Sequence, residues 1–354
     1  MGGTSPDTGA TAGSSPGAGA DGGTAQATGA TGGSGALPNG GAGAGGTAGS
    51  AGTGTVDPPE PEPLLNLYAL ARGKTGYVAV GAKWSFGFES ATGVIFQSND
   101  GKSWSKVASE LPVTLKDVEY GNERFVALGS EGEAAWAYVS DDGVHWNTGT
   151  NPTTYQGLGF AFGNGLFVAQ GNDTLYTSVD GVTWENTGQT LRWAGVEFAS
   201  DHFVAAAPAG SLYGTGKTWE PVTITDVFVN SISVRGYGDH FRGYASNVCC
   251  FGEEPESNQY YRLSSSDGAN WTTEKVASSA SLSLPLLDDG TLCIDSNDRQ
   301  LLTGPDCDHL VEASAIPGYA RASLEHDGIY LVAGDGGIFS SSDGATWTQV
   351  LSDP

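Results

Sequence analysis

Ser98-Asn99-Asp100-Gly101-Lys102-Ser103-Trp104 carries the pattern Ser-x-Asp-Gly-x-x-Trp. The same pattern returns at Ser140 to Trp146, Ser178 to Trp184, Ser265 to Trp271 and Ser341 to Trp347. Four fixed positions in seven, five times over, mark a repeated structural unit. Two degenerate copies fill the gaps in the spacing. Tyr213 to Trp219 keeps Gly216 and Trp219 but has Thr215 at the Asp position, and Gly304 to Leu310 keeps Asp306 with Cys307 and Leu310 replacing Gly and Trp. Each part of the pattern has a local task. The Asp caps N–H groups of its own turn, the Gly adopts a left-handed conformation, and the Trp offers a large apolar face to a neighbouring unit.

A second element precedes each copy: Gly121 to Ala127, Gly163 to Ala169, Ser200 to Ala205 and His326 to Ala333, with looser versions at Thr75 to Gly81, Gly238 to Tyr244 and Asp289 to Asp295. Polar Gly/Asn/Asp turns followed by alternating aromatic and β-branched residues are hairpin signals. Each unit therefore reads as strand a, tight turn, strand b, variable loop, strand c, the Asp-containing turn and strand d. Seven such units share residues 64–354 at about 42 residues each. Four short strands repeated seven times predict an all-β, seven-bladed propeller.

These residues resemble the Asp-box, or bacterial neuraminidase repeat, propellers, and the resemblance spans essentially all of 64–354. It implies a structural role for Asp100, Asp142, Asp180, Asp267 and Asp343, and for Trp104, Trp146, Trp184, Trp219, Trp271 and Trp347. It also implies that the boxes lie on the face opposite a ligand. The b–c loops and the links between blades share the other face. From blade one that face should display Lys83, Trp84, Phe86, Phe88 and Glu89. The links should add Lys116, Tyr155, Arg192, Trp193, Phe228 and Tyr319, and the blade-five loop Phe251, Glu253 and Glu254. Large aromatics are unusual in solvent-facing loops. Trp84, Phe86, Phe88, Tyr155, Arg192, Trp193 and Tyr319 are thus the candidate binding residues, as a platform for sugar rings or a protein-contact patch.

Residues 1–63 hold no Lys, Arg or aromatic, and residues 1–55 carry 20 of the 55 glycines. So little apolar surface cannot offset ordering entropy, and the segment reads as a disordered tether spanning roughly 45 Å. It resembles the Gly/Ser/Thr tails of bacterial surface lipoproteins, with Met1 where the lipid-bearing cysteine would stand. Met1 leads into Gly2-Gly3-Thr4 with no basic n-region or apolar h-region, as expected of a mature exported form whose signal has been trimmed. Four cysteines, Cys249, Cys250, Cys293 and Cys307, permit two disulfides in any of three pairings, which fits an exported protein. Blade six, which holds Cys293 and Cys307, lacks its Trp, so a disulfide there would substitute for lost packing. With 15 basic against 40 acidic residues, net −25, the surface repels phosphate backbones and anionic membranes. No apolar run is long enough to span a bilayer.

Several apparent motifs dissolve on inspection. Gly214 to Thr218 imitates the end of a phosphate loop, but Ser211 stands where the required Gly belongs. His145, His202, His240, His309 and His326 show no metal spacing. The acidic clusters Glu253 to Glu256, Asp288-Asp289 and Asp306 to Asp308 match no calcium loop and read as solvated surface. No cofactor or metal is expected. A sialidase requires three arginines on the substrate carboxylate and a Tyr–Glu nucleophile pair. Arg72, Arg192, Arg235 and Arg321 lie in or next to first strands and leave a triad such as Arg192, Arg235 and Arg321 open, yet the family's Arg-Ile-Pro entry motif is missing and no Tyr–Glu pair can be assigned. The sequence thus predicts an exported, surface-displayed, non-catalytic monomer that binds glycan or protein, with a sialidase-like glycoside hydrolase as the alternative.

Overall fold

Short alternating stretches separated by two-residue turns pair locally, because each turn returns the chain alongside itself at little loop-closure cost. The computed structural model describes residues 64–85, 91–132, 134–150, 159–192, 194–247, 258–277, 284–297, 299–316 and 318–352. These form seven four-stranded antiparallel sheets, each built from four strands consecutive in sequence. This is the predicted seven-bladed propeller. Its blades span 64–111, 114–148, 160–190, 195–222, 231–276, 287–315 and 320–352. Their first strands, Leu64–Gly73, Thr114–Gly121, Phe160–Gly163, Gly195–Ala199, Ser231–Gly236, Leu287–Asp288 and Ala320–His326, supply residues to the central channel. The a–b turns are of the primed kind, with left-handed pairs at Asn122 and Glu123 (φ 48° and 63°) and at Ser200 and Asp201 (50° and 61°).

The five full repeats build one turn. Asp100 Oδ1 accepts from the N–H groups of Lys102 (2.8 Å) and Ser103 (2.7 Å), while Ser98 Oγ accepts from Gly101 N (2.9 Å). Asp142, Asp180, Asp267 and Asp343 repeat the arrangement. The glycines that follow these acids have φ between 67° and 78°. In blade four, Thr215 and Thr218 hydroxyls 3.1 Å apart close the equivalent turn.

The core is a set of apolar seams between neighbouring blades. Trp104 joins the cluster between blades 7 and 1, Trp146 that between 1 and 2, and Trp184 that between 2 and 3. Trp219, Trp271 and Trp347 serve the seams 3–4, 4–5 and 6–7. On the channel side a second motif repeats. Tyr120, Phe162 and Phe198 each lie against the glycine that ends strand a of the preceding blade: Gly73, Gly121 and Gly163. A methyl group on any of these glycines would run into the ring. The same rings tilt against Phe125, Phe167 and Phe203 at 4.7 Å between centroids in every case. Blade four ends strand a in Ala199, and there the following blade carries Gly236 against it where the others place an aromatic.

The 5–6 seam departs from the rest. Among the described residues no apolar cluster spans it, and Leu310 stands where the Trp belongs. Blade five places Arg242 where other blades put Val78, Val126, Val168 and Val204. Its Nε lies 2.7 Å from Asp288 of blade 6, which is 3.3 Å from His240 Nε2. Arg235 donates to the Pro285 carbonyl at 2.7 Å, and the Tyr237 hydroxyl donates to the same oxygen. Cys293 and Cys307 are bonded within blade six. Cys249 and Cys250 lie outside the described residues.

The ring closes without exchanging a strand. Blade 1 begins the described chain, blade 7 ends it, and a single bridge between Asn66 and Asp335 with Gly336 N donating to Leu65 O (2.8 Å) joins their backbones.

Candidate functional site

The first strands enclose a central cavity of about 630 Å³. Its lining runs from Tyr68 and Arg321 to the a–b turn residues Gly238, Asp239 and Asp289, and toward the b–c loop end the inner strands carry β-bulges. In three adjacent blades one residue of strand a is left out of the pairing with strand b: Arg321 in blade 7, Tyr68 in blade 1 and Lys116 in blade 2. A bulge turns its extra residue away from the ladder, and these three meet. Lys116 Nζ lies 4.6 Å from the centre of the Tyr68 ring, and Arg321 Cζ lies 5.2 Å from it. Trp84, at the end of strand b in blade 1, donates its indole N–H to the Tyr68 hydroxyl at 3.1 Å. Asp335 holds Arg321 through Nε (2.9 Å) and Nη2 (2.8 Å). The same carboxylate accepts from Tyr319 N at 3.0 Å.

Deeper in the channel lie Asp117 and Glu119 of blade 2 and Glu197 of blade 4, all half-buried, with Arg235 beside Glu197. Removal from water raises the Glu197 carboxyl to about 7, against the pull of Arg235 and of a 3.2 Å hydrogen bond from Gly236 N. Burial also pushes Asp117 and Glu119 up, reinforced by mutual repulsion and by Glu197. Solvent-facing Asp142 and Asp267 are the reverse case, held down by hydrogen bonds from their own turns.

The sign of the resulting pH dependence follows. Between pH 4.5 and 7 the folded protein keeps a proton on Glu197 that the unfolded chain has released, so stability falls as pH rises through that window. Glu197→Gln is expected to flatten this part of a melting-temperature profile. An unchanged slope would show that Glu197 does not titrate there.

The expected loop-face residues fare differently. Trp84 stands half-buried against Tyr68, and Tyr319 and Phe228 are 60% and 80% exposed. Tyr319 is linked to the cluster through Asp335. Arg192 is exposed and pairs with Asp173 at 2.5 Å, on the blade-three rim and not among the cavity residues. Phe86, Phe88, Glu89, Tyr155, Trp193, Phe251, Glu253 and Glu254 lie outside the described residues. Arg192, Arg235 and Arg321 are thus engaged by three separate partners, Asp173, the Pro285 carbonyl and Asp335. The channel acids escaped the sequence reading, although charged residues at alternate positions of an inner strand, Asp117 and Glu119, were a visible signal. Among the described residues no group of three or more His, Cys, Asp or Glu is placed to hold a metal ion, and no helix is long and apolar enough to cross a membrane.

No protein-family model matches the chain, and no curated protein matches it. Solved structures do. Virginiamycin B lyase from Staphylococcus aureus is 10% identical over 76% of this chain and 92% of its own, with a TM-score of 0.52. The β-propeller domain of the trilobed protease from Pyrococcus furiosus is 11% identical over 82% and 100%, with a TM-score of 0.51. A streptogramin B lyase is 8% identical over 77% and 93%, with a TM-score of 0.50. At such identities the likeness is one of fold, shared by proteins of differing activity.

Proposed function

We propose that this is an exported, surface-displayed propeller that binds a saccharide through its b–c loop face without cleaving it. The observation that carries the reading is the aromatic pair Trp84 and Tyr68, joined by a hydrogen bond of 3.1 Å, of which Tyr68 lines the 630 Å³ cavity. Flat rings beside a polar cavity suit sugar rings, whose C–H faces stack while their hydroxyls take hydrogen bonds. The exposed Tyr319 and Phe228 extend the apolar surface of that face. Export is supported by the Cys293–Cys307 disulfide, and the Gly/Ser/Thr-rich segment 1–63 suits a tether to the cell surface, lipid-anchored in the manner of the lipoprotein tails it resembles. The box turns belong to the opposite face and hold the blades. A glycan array probed with the full chain tests the reading. Trp84→Ala is expected to weaken retention about thirtyfold, the loss of about 2 kcal/mol typical of a buried aromatic anchor. Undiminished retention would remove Trp84 from the site.

The raised channel carboxyls favour a second reading, a sialidase-like glycoside hydrolase, because a carboxyl held protonated near neutrality can serve as general acid. Release of new reducing ends from an array-positive glycan, abolished by Glu197→Gln, would select that reading over pure binding.

A further inference from the structure

The loop face has a charge asymmetry that narrows the ligand, and the inference rests on the saccharide reading above. Only 15 residues of the whole chain are Lys or Arg, against 40 Asp or Glu. Yet two of the 15, from the blades flanking blade 1, converge on one ring, that of Tyr68, which lines the cavity. They arrive by the same device, a bulge at the same point of strand a. The two cations differ in what they have left to give. Arg321 is already neutralised by Asp335 through two nitrogens. Lys116 has the Tyr68 ring face but forms no ion pair with any carboxylate among the described residues. A cation over an aromatic face at a partly exposed site is held weakly, and its N–H groups can still point at an anion.

We infer that the cluster of Lys116, Tyr68, Arg321 and Trp84 binds an acidic polysaccharide, taking a carboxylate or sulfate group on the Lys116 ammonium while Tyr68 and Trp84 meet the adjoining sugar rings. Arg321 acts through the Tyr68 ring: fixed by Asp335, it holds the platform from the side of blade 7. The neighbouring Asp117 and Glu119 do not defeat an anion, because burial favours their neutral form, in which they donate hydrogen bonds to ligand oxygens.

Affinity electrophoresis of the full chain at physiological salt tests this with three soluble polymers: polygalacturonate, chondroitin sulfate and neutral hydroxyethyl cellulose. At least one acidic polymer is expected to be retained at least tenfold more strongly than the neutral one. Which of the two is retained identifies the anion as carboxylate or sulfate. Lys116→Met, which keeps the apolar stem, is expected to lose at least tenfold in that retention with an unchanged melting temperature, and Lys116→Arg to keep it. Equal retention of the neutral polymer overturns the inference, as does an unaffected Lys116→Met. Retention of neutral polymer alone defeats the anionic ligand while leaving the saccharide reading in place. Failure to retain any polymer, together with a blank glycan array, defeats both.

Discussion

Asp288→Ala is expected to cost about 1–3 kcal/mol in chemical denaturation, the range for leaving hydrogen-bonding partners of a buried group unsatisfied, because solvent screens Arg242 at 37% exposure. The carboxylate is only 7% exposed and faces Arg242 and His240 across the 5–6 seam. Its loss leaves the half-exposed Arg242 guanidinium and His240 without their shared carboxylate, in a seam that has no tryptophan to fall back on. The complementary experiment replaces both sides. Arg242→Val with Asp288→Leu restores the apolar pattern that Val78, Val126 and Val204 provide elsewhere, and exchanging a buried ion pair for well-packed hydrophobes is often neutral or stabilising. A single-variant loss below about 1 kcal/mol would mean that the Cys293–Cys307 bond and the Pro285 contacts carry the seam by themselves.

The second large effect belongs to the aromatic–glycine sockets. Phe162→Gly empties the space over Gly121 and is expected to cost about 3–5 kcal/mol as a cavity. Gly121→Ala drives a methyl group into the Phe162 ring and is expected to cost about 1–3 kcal/mol as overpacking. The protein already contains the solution to both errors at once: Ala199 faces Gly236, the methyl group on one side and the empty position on the other. The double variant Gly121→Ala/Phe162→Gly should therefore lose less than the sum of its parts, with a coupling of about 1–3 kcal/mol measurable in a double-mutant cycle. Strict additivity would mean that ring and glycine are neighbours without being partners.

What the sequence disclosed and what it withheld divide along a physical line. Blade number, strand number and the capped turns are local properties, written into Ser98 to Trp104 and its copies, and a repeat makes them legible many times over. The missing Trp of blade six was equally visible. Its counterpart Arg242 was not, because valine-to-arginine in one strand acquires meaning only when the next blade lies against it. The cluster around Tyr68 was the least legible. Trp84 and Tyr319 stood out as loop aromatics, but Tyr68 reads as one more strand residue. Lys116 was placed among the link residues and Arg321 weighed for a substrate-gripping triad. Only the bulges bring Tyr68, Lys116 and Arg321 together, and a bulge leaves no mark in an alternating pattern. Asp117 and Glu119 left a trace as charges at alternate positions of an inner strand, but Glu197 joins them only when seven inner strands form a channel.

Because every sheet is completed by four successive strands, the blade is a self-contained unit of the chain. An in-frame gain or loss of one repeat, about 42 residues, adds or removes a finished sheet, where a ring that borrowed its last strand from the opposite terminus would be left with a torn one. What such an event must renegotiate is chemical compatibility between new neighbours. A blade carrying Arg242 can be followed only by one that offers an acid, and a blade ending in Ala199 only by one that opens with a gap. The order of the blades is thus recorded in their side chains.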